Sequence, residues 1–163
     1  VSLTPRRARC RGCGGTHVLL AVLFLSRRAD SAEVIARAVE LGAGGRGFRR
    51  VAALLARPPN TVRGWLRSAR AAAGAGLGVL WAVACEAAPD PARVAPRPAG
   101  PGLGGLVAVC SALAAAWGAR FHGDAPPWWA AGAAVCRSRL LQASWWAGRS
   151  QHELALPPAW WRA

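Results

Sequence analysis

The sequence predicts a mainly α protein, and three observations carry that expectation. Between residues 30 and 88 apolar residues recur three and four apart, the period of one helix face. The interruptions are short and built from the strongest breakers, "GAGGRG" at 42–47 and "RPPN" at 57–60. Only one run, "VLLAVLFL" at 18–25, reads as a buried strand or a piece of core, and it is too short to span a bilayer. A chain of 163 residues has room for one domain or two very small ones.

Residues 1–29 form a basic lead that carries Cys10, Cys13 and His17 and ends in the apolar run. The opening "VSLTPRRARCRGCGG" has no apolar stretch before its cysteines and does not read as a signal peptide. The chain begins with Val and contains no Met, as expected of a GTG start read literally or of a frame cut short. Asp30 with Glu33 three residues on predicts a capping box for the first helix. Val34, Ile35, Ala38 and Leu41 then share a face, and the glycines from Gly42 to Gly47 end it. A second helix is predicted from about Phe48 to Ala56, with Val51, Ala52, Leu54 and Leu55 inward. Pro58 and Pro59 end it and open a third, because Pro is tolerated in a first helical turn. Val62, Trp65 and Leu66 of that helix face the core, and it extends to about residue 87. "APDPARVAPRPAGPGLGG", 88–105, is a Pro/Gly-rich linker. Residues 106–163 hold a helical pair, at 106–121 and 126–142, and a tail, "LALPPAWWRA", with no regular pattern.

Charge is distributed unevenly. All 21 basic residues are Arg, and 14 of them fall in residues 1–70 against three acids, a net +11. Residues 71–163 carry a net +3. Part of this bias is genomic GC content, but its placement favours a polyanionic partner, since a guanidinium pairs bidentately with phosphate. Six arginines lie within "GFRRVAALLARPPNTVRGWLRSAR", 47–70, which also has the apolar spacing of two short helices joined by a tight turn. Such a pair is a helix-turn-helix, whose second helix enters the DNA major groove. Ala52 is small where the helices must cross; Val51, Leu55, Val62 and Trp65 lock the pair. Asn60 and Arg63 are placed to read base edges, Asn suiting adenine and Arg guanine. Arg49, Arg50, Arg57, Arg67 and Arg70 suit phosphates, and Thr61 can donate to a phosphate beside backbone amides. Ala56 and Arg57 depart from the usual turn, where Gly is followed by an apolar residue. The competing reading is an amphipathic hairpin with a solvated arginine face.

"RARCRGCGGTHVLL", "SAEVIARAVELGAGGRGFRRVAALLARPPNTVRGWLRSAR" and "APPWWAAGAAVCRSRLL" together resemble a family from high-GC actinobacteria. In that family a cysteine zinc ribbon precedes a helix-turn-helix similar to the front end of insertion-sequence transposases. The resemblance implies a three-helix, homeodomain-like DNA-binding unit over 30–87, of a transposase-associated or regulatory kind, with double-stranded DNA as partner. It also implies a second Cys-x2-Cys upstream of Cys10 and Cys13, which by themselves are half a zinc site or plain loop cysteines. The chain as given is expected to hold no cofactor, and a longer form to hold zinc. His17 reads as structural.

No enzyme is expected: a transposase nuclease needs clustered carboxylates, and after the helix pair only Glu86, Asp90, Asp124 and Glu153 remain, scattered. "GAGLG" at 74–78 lacks the strand and Lys of a phosphate loop. Five scattered cysteines do not form a secreted disulfide framework, so a cytoplasmic setting is expected. Residues 102–119 lack charge and reach the minimum length for a spanning helix, but Ala and Gly contribute little to insertion. The alternatives are a small arginine-rich helical protein on anionic lipid, or a non-functional remnant of a mobile element. Self-association is left open.

Overall fold

The computed structural model describes residues 6–9, 11–12, 14–19, 30–94, 96, 98, 100–136 and 139–147, and these are mainly helical. A short antiparallel hairpin comes first: β1 (Arg6–Arg9) pairs with β2 (Thr16–Leu19), Arg6 opposite Leu19 and Arg9 opposite Thr16. Gly14, at φ +68°, supplies the left-handed residue of the turn, and its carbonyl accepts from Arg9 Nε at 3.3 Å. Of the apolar run, β2 takes Val18 and Leu19; residues 20–25 lie outside the described residues.

Three helices follow. α1 (Ala32–Ala43) begins one residue later than a capping box on Asp30 requires. Ser31 is its N-cap, extended at ψ 151°, and its Oγ accepts from the Val34 amide at 3.4 Å. Asp30 is turned away because it pairs with Arg57 (2.6 Å). α1 ends in a Schellman motif: Arg46 N donates to Leu41 O (3.1 Å), Gly45 N to Gly42 O (3.1 Å), and Gly45 takes φ +82°. α2 (Phe48–Leu55) buries Val51 and Ala52, with Phe48 and Leu55 partly covered. Leu54 is 59% exposed, contrary to the expectation that it faces inward. In an eight-residue helix the buried stripe is narrow, and Leu54 falls outside it.

The turn after α2 repeats the Schellman pattern, with Arg57 N donating to Ala52 O at 3.0 Å and Ala56 at φ +50°. A left-handed conformation costs a residue with a Cβ roughly 1–2 kcal/mol. Ala56→Gly should therefore raise stability by about 1 kcal/mol, seen as a higher denaturant midpoint with an unchanged slope. A lower midpoint would show that Ala56 is not strained.

α3 (Pro59–Ala87) is a single helix of 29 residues, about 43 Å long. Pro58 is its N-cap and Pro59 its first residue. Its buried positions, including Val62, Trp65, Leu66, Ala69, Ala73, Leu77, Leu80, Ala84 and Ala87, keep three- and four-residue spacing from end to end. Asp90 accepts from the Ala92 amide (3.0 Å) and caps a 3-10 turn at Pro91–Arg93. α4 (Leu103–Phe121) starts at an extended Gly102. α4 runs parallel to α3: Leu103 and Leu66 meet beside Gly42, and Arg120 Nη1 reaches the Glu86 and Ala87 carbonyls, each at 3.4 Å. Arg120 thus places a cation at the negative end of α3.

α5 (Trp128–Val135) is shorter than the helix expected over 126–142. After it, Arg139 N donates to Cys136 O (3.0 Å) and Gln142 N to Arg139 O (2.8 Å). These tight turns redirect the chain so that Leu140, Leu141, Trp145 and Trp146 are all buried, the last two on α6 (Ala143–Trp146). Residues from all six helices join one apolar cluster. Glu40 ties α1 to α5, accepting from Trp128 Nε1 at 2.9 Å and from Arg37 Nη1 at 3.0 Å.

Candidate nucleic-acid interface

The helix pair α2–α3 buries one side and exposes the other. Arg49 and Arg50 lie in the first turn of α2; Asn60, Arg63, Arg67 and Arg70 lie on α3, and all six are exposed. The spacing of 63, 67 and 70 puts three guanidinium groups on one stripe, opposite buried Val62, Trp65, Leu66 and Ala69. No acid occurs from residue 41 to residue 85, so neither α2 nor the first turns of α3 carry a negative side chain among these arginines.

Arg57 differs from the others. Its Nε donates to Asp30 Oδ1 at 2.6 Å and its Nη1 to the Ala56 carbonyl at 3.2 Å, while its side chain stays 39% exposed. It closes the turn onto the start of α1. Thr61 is half-buried. Its amide and that of Val62 both donate to the Pro58 carbonyl (3.0 and 3.2 Å), and Pro58 and Pro59 carry no amide hydrogen. The start of α3 consequently presents few backbone donors to an anion. Sequence reasoning missed Phe48 as part of this surface: the guanidinium carbons of Arg49 and Arg63 stand 5.7 and 5.8 Å from its ring centroid. An aromatic residue next to a basic run is the signal that was present.

Cys10 and Cys13, the half-site for zinc, lie outside the described residues. Among the described residues no three His, Cys, Asp or Glu side chains gather as a metal site. The remaining thiols belong to the core or its edge. Burial pushes Cys110 up from the ordinary 9.0 to about 12. Cys136 is raised further, by burial first and by neighbouring Cys110 second, while its Sγ donates to the Gly132 carbonyl at 2.9 Å. Half-exposed Cys85 is raised by partial burial.

These shifts have a sign that can be tested. A thiol whose folded pKa lies above its unfolded one contributes stability that is complete below the unfolded value, near 9.0. That contribution is lost as pH rises toward about 12. The chain has no Lys or Tyr to titrate in that window. Stability should fall above pH 9.0 by up to about 1.4 kcal/mol per pH unit for each buried thiol. Cys110→Ala should make the profile shallower and leave the share of Cys136, and a wild-type profile flat to pH 10 (roughly one unit above the free-thiol value) would contradict the burial.

A groove of 420 Å³ runs between the start of the linker and α4, lined by Ala88, Val94, Ala112, Ala115 and Ala119 among others. α3 and α4 are each long and apolar enough to cross a membrane, and 44% of the apolar window of each is buried inside the bundle. No family model, curated protein or solved structure matches this chain.

Proposed function

We propose that α1, α2 and the first three turns of α3 form a homeodomain-like helix-turn-helix that binds double-stranded DNA. The start of α3 lies in the major groove, with Asn60 and Arg63 at base edges. Arg49, Arg50, Arg67 and Arg70 hold phosphates, and Arg57 contributes only as its pairing with Asp30 permits. One observation supports this reading best: two helices without an acid between residues 41 and 85 expose arginines on one side, while their opposite faces fill the core. A three-residue turn, Ala56–Pro58, separates the helices, the length such a unit needs. The transposase-associated or regulatory character, zinc in a longer form and a cytoplasmic setting rest on the resemblance and composition described above.

The test is salt dependence joined to two substitutions. Neutralising the four phosphates assigned to Arg49, Arg50, Arg67 and Arg70 gives a log–log slope of about −3.6 in duplex affinity against salt. Arg63→Ala should weaken a preferred site by roughly 1–3 kcal/mol and affect scrambled duplex less. Arg70→Ala, about two turns further along, should weaken all sequences alike and reduce the slope by about one unit. Equal losses on every sequence from both variants would reduce the surface to a charged helix face.

A second reading has its own observation, the length and apolarity of α3 and α4. In that reading the arginines meet anionic headgroups. Flotation with anionic but not neutral vesicles, together with salt-insensitive duplex binding, would favour it over DNA recognition.

A further inference from the structure

Phe48 is the first residue of α2, half-buried, with one side packed on the core. Its ring draws guanidinium groups from two helices: Arg49 beside it in α2, at 5.7 Å, and Arg63 from α3, at 5.8 Å. Both lie within the roughly 6 Å over which a cation is attracted to a ring face. Arg67 and Arg70 make no such ring contact among the described residues. The proposed base reader thus has a ring within cation–π range, a contact that Arg67 and Arg70 lack among the described residues.

We propose that Phe48 is a positioning residue of the DNA-reading surface, its ring holding Arg63 in the pose that meets a base edge and coupling it to Arg49. The inference rests on the DNA-binding reading above. A guanidinium attracted to a ring face through its delocalised charge can keep its N–H edge available, so the ring contact and bidentate bonding to guanine are compatible. Arginine loses much rotamer freedom when it is fixed on a base. A ring that fixes it beforehand removes part of that loss from the binding step. Phosphate contact tolerates a mobile arginine, because charge acts without a set geometry, so the benefit falls on base discrimination. Two like charges on one ring also repel each other, and the acceptor edge of a base or a phosphate relieves that repulsion.

The experiment uses the full chain and a duplex selected from a random pool, compared with a scrambled duplex. Phe48→Leu keeps an apolar side chain and removes the ring; Phe48→Tyr keeps the ring. Phe48→Leu should weaken the selected duplex about two- to fivefold, the worth of an exposed cation–π contact. Scrambled-duplex affinity should fall less than selected-duplex affinity, and Phe48→Tyr should restore the selected site. In an Arg63→Ala background, Phe48→Leu should have no further effect on discrimination. Nitrogen relaxation at Arg63 Nε, measured without DNA, should show the group more mobile in Phe48→Leu than in the wild type. Phe48→Leu acting equally with and without Arg63, or Phe48→Tyr behaving like Phe48→Leu, would overturn the positioning role while leaving DNA binding intact. Wild-type protein that binds no duplex would overturn both.

Discussion

Gly76→Ala is expected to destabilise the protein by about 1–3 kcal/mol, although Ala is the better helix former. A Cβ on Gly76 would overlap Trp146 Cδ2 and lie 2.8 Å from Cε2 and Cε3. The indole therefore rests on the bare backbone of α3, with its Nε1 donating to the Leu140 carbonyl at 3.3 Å and only 2% of its surface exposed. Trp146→Ala should cost about 3–5 kcal/mol, since a large side chain leaves a cavity the neighbours cannot fill. The pair carries a sharper expectation than either change alone. With Trp146 already removed, Gly76→Ala should turn stabilising by about 1 kcal/mol, because only helix propensity remains. Gly74 is the control, as nothing lies within 4 Å of its Cβ position, so Gly74→Ala should stabilise outright. Denaturant titration followed by far-ultraviolet circular dichroism measures all four. If Gly76→Ala proves as harmless as Gly74→Ala, Trp146 does not seat there.

Trp65→Ala should cost a comparable 3–5 kcal/mol, for a reason closer to the proposed interface. Trp65 is 2% exposed and joins Ile35, Val39, Val51, Val62 and Leu66 in the part of the core where α1, α2 and α3 meet. Its loss removes a large buried side chain from that part of the core, and a domain whose total stability is about 5–15 kcal/mol has little in reserve. Duplex affinity and helical signal should fall together on warming. In Arg63→Ala they should separate, with affinity lost and helix content kept. Trp65→Ala with a wild-type midpoint would mean that this side chain is not central to the packing.

Much of the helical layout follows from local chemistry and could be read without the structure. Gly42–Gly47 and Pro58–Pro59 interrupt the periodicity where α1, α2 and α3 are in fact divided, because positive φ and a missing amide hydrogen act within a few residues. The exposure of Arg63, Arg67 and Arg70 follows from the same three- and four-residue spacing that buries Val62, Trp65 and Leu66. The misreadings involve partners distant in sequence. Asp30 reads as a cap until Arg57, 27 residues away, claims it and leaves Ser31 to do the capping. The pairing of Arg57 with Asp30 is equally invisible locally, since its partner lies 27 residues away. Nothing local announces that Phe48 lies under Arg63, or that α5 stops at Val135 so that two tryptophans can turn back onto α3. Leu54 is a different kind of miss, where periodicity in a short helix cannot fix the edge of the buried stripe.

The unbroken length of α3 bears on how the molecule comes apart. Its first turns close the core beneath the arginines, and its middle and end carry Leu77, Leu80, Val83 and Ala87, which join the same cluster as α4 and the C-terminal tryptophans. A helix shared in this way couples local openings: fraying at the Trp146 seat loosens the same rod that presents Arg63. Amide hydrogens near the middle of α3 should then exchange only through global unfolding, whereas those of the brief α2 and α6 exchange through smaller openings. On the DNA-binding proposal, substitutions far from the arginines should accordingly lower duplex affinity by depleting the folded population, without touching the proposed reading surface.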